Sequence, residues 1–198
     1  NQQISGKGSI NINADVHSSA DNFQGTSFIN NASNLFLIDG TLEQVVSGNG
    51  NIVIGGFVQS SADNLLNNVD VSGENVLTLT GGTLNRVIST TGQGKVVIAG
   101  HVSTAASNLL TDVSVNAEKT VTLSGGALNT NITGAGLVEI DGMVEIANNK
   151  TVNTNIEINT DKSLTASINS IGGAVINNGL LTLTDGGTLS GVISGSGN

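Results

Sequence analysis

The sequence predicts an all-β chain, a right-handed parallel β-helix with about 20–21 residues per coil. Three observations carry that expectation. Short apolar runs alternate with a period of two; a few Gly-containing phrases return at near-constant intervals; and the chain has 27 Gly but no Pro and no Trp or Tyr in 198 residues.

The alternation comes first because it separates strand from helix. In "GNIVIGG", Ile52 and Ile54 flank Val53; in "NVDVSG", Val69 and Val71 flank Asp70; in "VLTLTGG", Leu77 and Leu79 flank Thr78. Period two puts successive side chains on opposite faces of a strand. Gly, Asn or Ser-Gly ends each run after a few residues, and no long helical stripe appears. "SADNLLNN" around Asn64 is the one segment that suits a single helical turn.

The recurring phrases come next. A hydroxyl residue, Gly, a spacer and a second Gly appear in "ISGKGSINI" at Ile4, "VSGNGNIVIGG" at Val46, "TTGQGKVVIAG" at Thr90, "ITGAGLVEIDG" at Ile132 and "ISGSGN" at Ile193. Only Gly reaches positive φ without steric cost, so Gly48, Gly50, Gly92 and Gly94 are expected at coil corners. A second phrase, "DGTL" at Asp39, "GGTL" at Gly81, "GGAL" at Gly125 and "GGTL" at Gly186, sets the spacing. Gly40 to Gly82 is 42 residues, Gly82 to Gly126 is 44 and Gly126 to Gly187 is 61. Taken as two coils, two coils and three coils, these intervals predict one inserted coil in the last repeat. A third phrase aligns "VHSSADNF", "VQSSADNLL" and "VSTAASNLL", which predicts that Asn22, Asn64 and Asn108 form one amide ladder along an edge. Absence of Pro agrees with strands that are all central and need their N–H groups.

These landmarks divide the chain into repeats at about 4–45, 46–87, 88–131 and 132–192 within one β-solenoid region, 1–198. A four-stranded propeller blade would also fit about 40 residues, but an added coil of about 20 suits a solenoid and not a blade. Because the chain starts within one phrase and stops just after another, it is expected to be a fragment of a longer repeat protein.

Composition restricts function. Fifteen acidic and six basic residues give a net charge of -9, which disfavours nucleic acid and anionic membranes. No disulfide or thiolate metal site can form without Cys, and no apolar run is long enough for a membrane helix, so direct membrane insertion of this segment is not expected. None of the Gly-x-Gly copies extends to a nucleotide-binding fingerprint, and "GGTL" lacks the Asp of a calcium-binding roll. The strongest acidic cluster is Glu139, Asp141 and Glu145 in "VEIDGMVEI", with Glu139 and Asp141 side by side on the outer face. Paired carboxylates could hydrolyse a polysaccharide or hold a divalent ion, but no basic or aromatic neighbours accompany them, so a solvated acidic surface is the favoured reading. His17 and His101 occupy non-equivalent repeat positions about four layers apart. No catalytic residue, cofactor or metal ligand is therefore assigned.

In texture, phrases such as "GGTLNRVISTTGQGKVVIAG" and "INNGLLTLTDGGTLSGVISGSGN" resemble the passenger domains of Gram-negative autotransporters, especially rickettsial outer-membrane surface antigens. "FINN" at Phe28, "GGAL" at Gly125 and "GGAV" at Gly172 are similar to the FxxN and GGA[ILV] motifs of chlamydial polymorphic membrane proteins. This resemblance implies secretion and display at the cell surface, outside a Gram-negative outer membrane. It also implies a non-enzymatic role as adhesin or surface-layer protein, with a host-cell or neighbouring-cell surface protein as partner. Self-association through coil ends into a fibre, and a β-helical polysaccharide lyase or glycosidase, are the alternatives.

Overall fold

The computed structural model describes residues 8–198, so the first residues of the Ile4 phrase lie outside the described residues. The chain winds into a parallel β-solenoid of about ten coils, the fold class that the alternation predicts. Every strand pairing is parallel. Each coil contributes three short strands, and these stack into three faces.

On the first face, Ile10, Ser27, Val46 and Leu65 lie one above another. The stack continues through Gly82, Val102, Val121, Val138, Ile156, Val175 and Ile193. A second face carries Val16, Leu35, Ile52, Val69, Ile88 and Leu109. Val144, Leu164 and Leu181 continue it. The third holds Gly40, Val58, Leu77, Val96, Val113, Ile132, Val152 and Ile171.

Inward side chains of all three faces form one aliphatic core, from Ile12 to Val175, in which Leu35, Ile52, Val71, Leu77, Val96 and Ile132 are buried. Each fully buried Val, Leu or Ile contributes about 1.5–3 kcal/mol, and every coil adds several. Neighbouring coils thus hold each other, since a single coil has no interior of its own.

Register offsets run from 17 residues, as in Ile10 to Ser27, to 21, as in Ile88 to Leu109. This shorter mean coil changes what a 42- to 44-residue repeat spans. Between Val46 and Ile88 the chain lays down seven strand positions, at Val46, Ile52, Val58, Leu65, Val69, Leu77 and Leu84, where two coils would take six. Each repeat therefore advances by one face. The equivalent strands Val46–Gly48, Ile88–Ser89 and Ile132–Gly134 lie on the first, second and third faces. The long interval from Ile132 to Ile193 holds ten strand positions, three more than the others, so it does contain one added coil.

The expected amide ladder of Asn22, Asn64 and Asn108 does not form, and the extra strand position is the reason. Each of these residues ends a 3-10 turn, Ala20–Asn22, Ala62–Asn64 and Ala106–Asn108, and the turns sit at three different corners. Asn64 Nδ2 donates to the Leu42 carbonyl at 3.0 Å and Asn108 Nδ2 to the Leu84 carbonyl at 3.2 Å, while Asn22 Nδ2 donates to Ser18 Oγ. Each amide thus ties its own corner down, and none reaches another of the three.

The two repeated phrases are instead partners across one coil. Asp21 Oδ1 accepts from the Thr41 N–H at 2.8 Å, and Asp63 Oδ1 accepts from the Thr83 N–H at 2.9 Å, so the "ADN" turn supports the "GTL" strand stacked on it. The Gly of "GTL" leaves room for that carboxylate: a Cβ at Gly82 would come within 2.8 Å of Ser61 Oγ and closer still to Asp63. In the third repeat Ser107 replaces the Asp, and the space at Gly126 relaxes to 3.3 Å.

The S/T-G-x-G corners follow the expected logic. Gly48 has φ +113°, and Gly92 and Gly134 are also at positive φ. Gly50, at negative φ, is needed for closeness: a Cβ there would strike Ile29 and the carbonyls of the Asn30 to Ser33 turn beneath.

Candidate functional site

An amide ladder does exist, at the corner between the first and second faces. Asn34 Nδ2 donates to Asp15 Oδ1 at 3.1 Å, Asn51 Nδ2 donates to Asn34 Oδ1 at 3.4 Å, and Asn68 stands in register above. Related polar stacks mark the other edges: Asn131 Nδ2 donates to Asp112 Oδ1, and the Thr151 N–H donates to Asn131 Oδ1. These residues precede a strand, a position at which a one-coil partner lies 17 to 20 residues away. Sequence alignment by 42 to 44 residues conceals that partner.

Of the three carboxylates singled out from the sequence, the fold brings together Glu139 and Asp141. Glu139 points outward from the first face, where Oε2 accepts from Thr122 Oγ1 at 2.7 Å and Oε1 accepts from Asn159 Nδ2 at 2.8 Å. Asp141 Oδ1 lies 3.4 Å from Lys162 Nζ. Glu145 is on the second face, stacked between Ala127 and Thr165, and belongs to a separate surface. Sequence reading missed Glu157, which pairs in register with Glu139. Its signal was available: the triplets "VEI" at 138–140 and "IEI" at 156–158 are 18 residues apart. Chemically, this group is a ladder of acceptors whose Glu139 oxygens are both engaged by neighbours, so it ties three coils together along the outer wall.

The histidines are apart. His17 stacks on Phe36, one coil above it, with ring centroids 4.1 Å apart and 6° between planes. His101 begins a first-face strand opposite Thr120. Among the described residues, no three His, Cys, Asp or Glu side chains approach closely enough to hold a metal ion. Among the same residues, no helix is long and apolar enough to cross a membrane.

Two grooves indent the corners. One, of about 210 Å³, is walled by residues 48–51 and 66–68 with Arg86. The other, of about 350 Å³, is walled by residues 92–95 and 110–112, with Thr130 and Lys150 among its other residues. Their origin is a step in corner length. The chain takes six residues from Val46 to Ile52 but only four from Leu65 to Val69 and four from Leu84 to Ile88, so a wide corner overhangs two tight ones. The floor is closed by one hydrogen bond of the same kind in each: Asn67 Nδ2 to the Gly50 carbonyl at 2.9 Å, and Thr111 Oγ1 to the Gly94 carbonyl at 2.7 Å.

This geometry defines a solenoid with patterned outer walls. No protein-family model, curated protein or solved structure matches the chain.

Proposed function

We propose that the chain is a rigid, non-enzymatic rod displayed outside the cell, acting through its side walls as an adhesin or as part of a surface layer, in the manner of an autotransporter passenger. The observation that carries this reading is the division of labour in each coil. Aliphatic side chains are committed to the continuous core, and the outer positions carry short Ser, Thr, Asn and Gly groups held by coil-to-coil hydrogen bonds. Such a wall stays ordered without a deep cavity and presents the same backbone spacing along its length, which suits extended contact with a partner on a host or neighbouring cell. The acidic net charge of -9 favours solubility and disfavours collapse onto anionic membranes.

The test is display and adhesion measured separately. Antibodies against the purified chain should label intact expressing cells, and protease added outside should remove the label. Label that appears only after permeabilisation would contradict the proposal. For adhesion, beads coated with the chain should bind target cells better than beads coated with a variant whose wall residues are replaced; equal binding would reject the adhesive role.

A further inference from the structure

We propose that the two corner grooves are repeated binding sites for anionic saccharide units, one per repeat. This deepens the adhesive reading and rests on it.

The argument starts from equivalence. Every residue that lines the groove at Arg86 has its counterpart 44 positions on in the groove at Lys95: 48–51 match 92–95, 66–68 match 110–112, and Arg86 matches Thr130. The repeat therefore builds the same feature twice. Because each repeat advances by one face, the second groove lies at the corner between the second and third faces, a third of a turn around the axis from the first. With about 4.8 Å per coil, it sits about 11 Å further along.

Charge identifies the ligand class. The chain is strongly acidic, with only six basic residues in 198. Three of them, Arg86, Lys95 and Lys150, line these two grooves. Arg86 supplies the only formal charge in the first; Lys95 and Lys150 outweigh Asp112 in the second. Both are cationic islands on an anionic wall. The cations enter from different wall positions, Arg86 from the upper tight corner, Lys95 from the lower lip and Lys150 from a turn above, so the shared property is the charge and not a single aligned residue.

Preorganisation and lining chemistry narrow the class further. Arg86 Nε donates to the Leu66 carbonyl at 3.0 Å, which anchors the guanidinium at the groove with its terminal NH₂ groups left to face a ligand. The rest of each wall is amide or hydroxyl: Asn49, Asn51 and Asn68 in the first, Thr90, Gln93 and Asn129 in the second. Short polar groups around one cation suit a sugar ring bearing a carboxylate or sulfate, since the hydroxyls of the ring meet amides while the anion meets Arg or Lys. The apolar Leu66 and Leu110, 37% and 45% exposed, give each groove one hydrophobic patch on which a ring can rest.

The experiment titrates the whole purified chain, observed by amide NMR and calorimetry, with an oligogalacturonate, a sulfated oligosaccharide and a neutral oligogalactose of equal length. The account expects an anionic oligomer to bind at two sites per chain, at least tenfold more tightly than the neutral one. The first two arms show whether carboxylate or sulfate is the preferred anion. Arg86→Gln should abolish shifts around residues 48–51 and leave those around 92–95, and Lys95→Gln combined with Lys150→Gln should do the reverse, with unchanged circular dichroism. Lys119→Gln and Lys162→Gln, outside both grooves, should leave affinity unchanged. Equal binding of the neutral oligomer, equal losses in the control variants, or no saccharide binding at millimolar concentration would each overturn the proposal. Solution titration reads the grooves alone, so its failure is distinguishable from failure of surface display, which intact-cell labelling reads.

Discussion

Replacing Gly48 by Ala tests how tightly the corners are stacked. At φ +113° an L-residue pays about 1–2 kcal/mol for the backbone conformation alone. The added Cβ would also stand 2.8 Å from the Ile29 nitrogen and closer still to the Ile29 carbonyl oxygen in the coil below. That oxygen already accepts from the Asn49 N–H at 2.9 Å and the Gly50 N–H at 3.2 Å. Relieving the overlap means lifting the corner by about 1 Å, which takes both bonds beyond useful length. Each is worth about 1 kcal/mol net, so the expected loss is about 3–4 kcal/mol. Gly73→Ala is the matched control: φ is +59°, but the nearest atom to a new Cβ is Asn75 Nδ2 at 3.6 Å, so the loss should be only about 1 kcal/mol. Urea unfolding followed by far-UV circular dichroism, with the slope checked for constancy, measures both. Equal losses in the two variants would refute the steric argument.

Three further outcomes follow from single contacts. Asn67→Thr should stabilise the chain by about 1 kcal/mol in the same urea assay, because Asn67 is buried with Oδ1 unpaired, while Thr111 fills the equivalent place with its hydroxyl bonded to Gly94. Glu157→Gln should raise stability by about 0.5 kcal/mol at low ionic strength through relief of the in-register Glu139 charge, and the gain should vanish above about 0.5 M salt. Asp63→Ala should cost about 1–2 kcal/mol because the Thr83 N–H loses its charged acceptor, and Asp63→Asn should recover most of that by thermal melting.

What the sequence revealed and what it concealed have one physical origin. Inward Ile52 and Ile54, and the corner roles of Gly48 and Gly50, are local consequences of strand alternation and of steric limits on φ, and both were legible. Coil length is not local. It depends on how many residues each corner spends, from four between Leu65 and Val69 to eight between Ile88 and Val96, and a repeat of 42 to 44 residues divides as readily into six strand positions as into seven. The structure chooses seven, so Asn22, Asn64 and Asn108 part to different corners, while Asp15, Asn34 and Asn51 meet. The same limit governs the wall: Glu139 and Asp141 are neighbours by strand alternation, but the proximity of Glu157 requires the coil offset. Likewise, the partnership of Asp63 with Thr83 becomes visible only once two phrases that looked independent are stacked.

The central claim, that successive coils align at offsets near 19 and so turn each repeat by one face, can be tested by cysteine cross-linking, since the natural chain has no Cys. Thr78 and Val97 are in-register neighbours on the third face. The pair Thr78→Cys with Val97→Cys should form a disulfide under mild oxidation, and Thr78→Cys with Ala99→Cys, the partner that a 21-residue coil would demand, should stay reduced. The opposite pattern, cross-linking at Ala99 and none at Val97, would contradict the account.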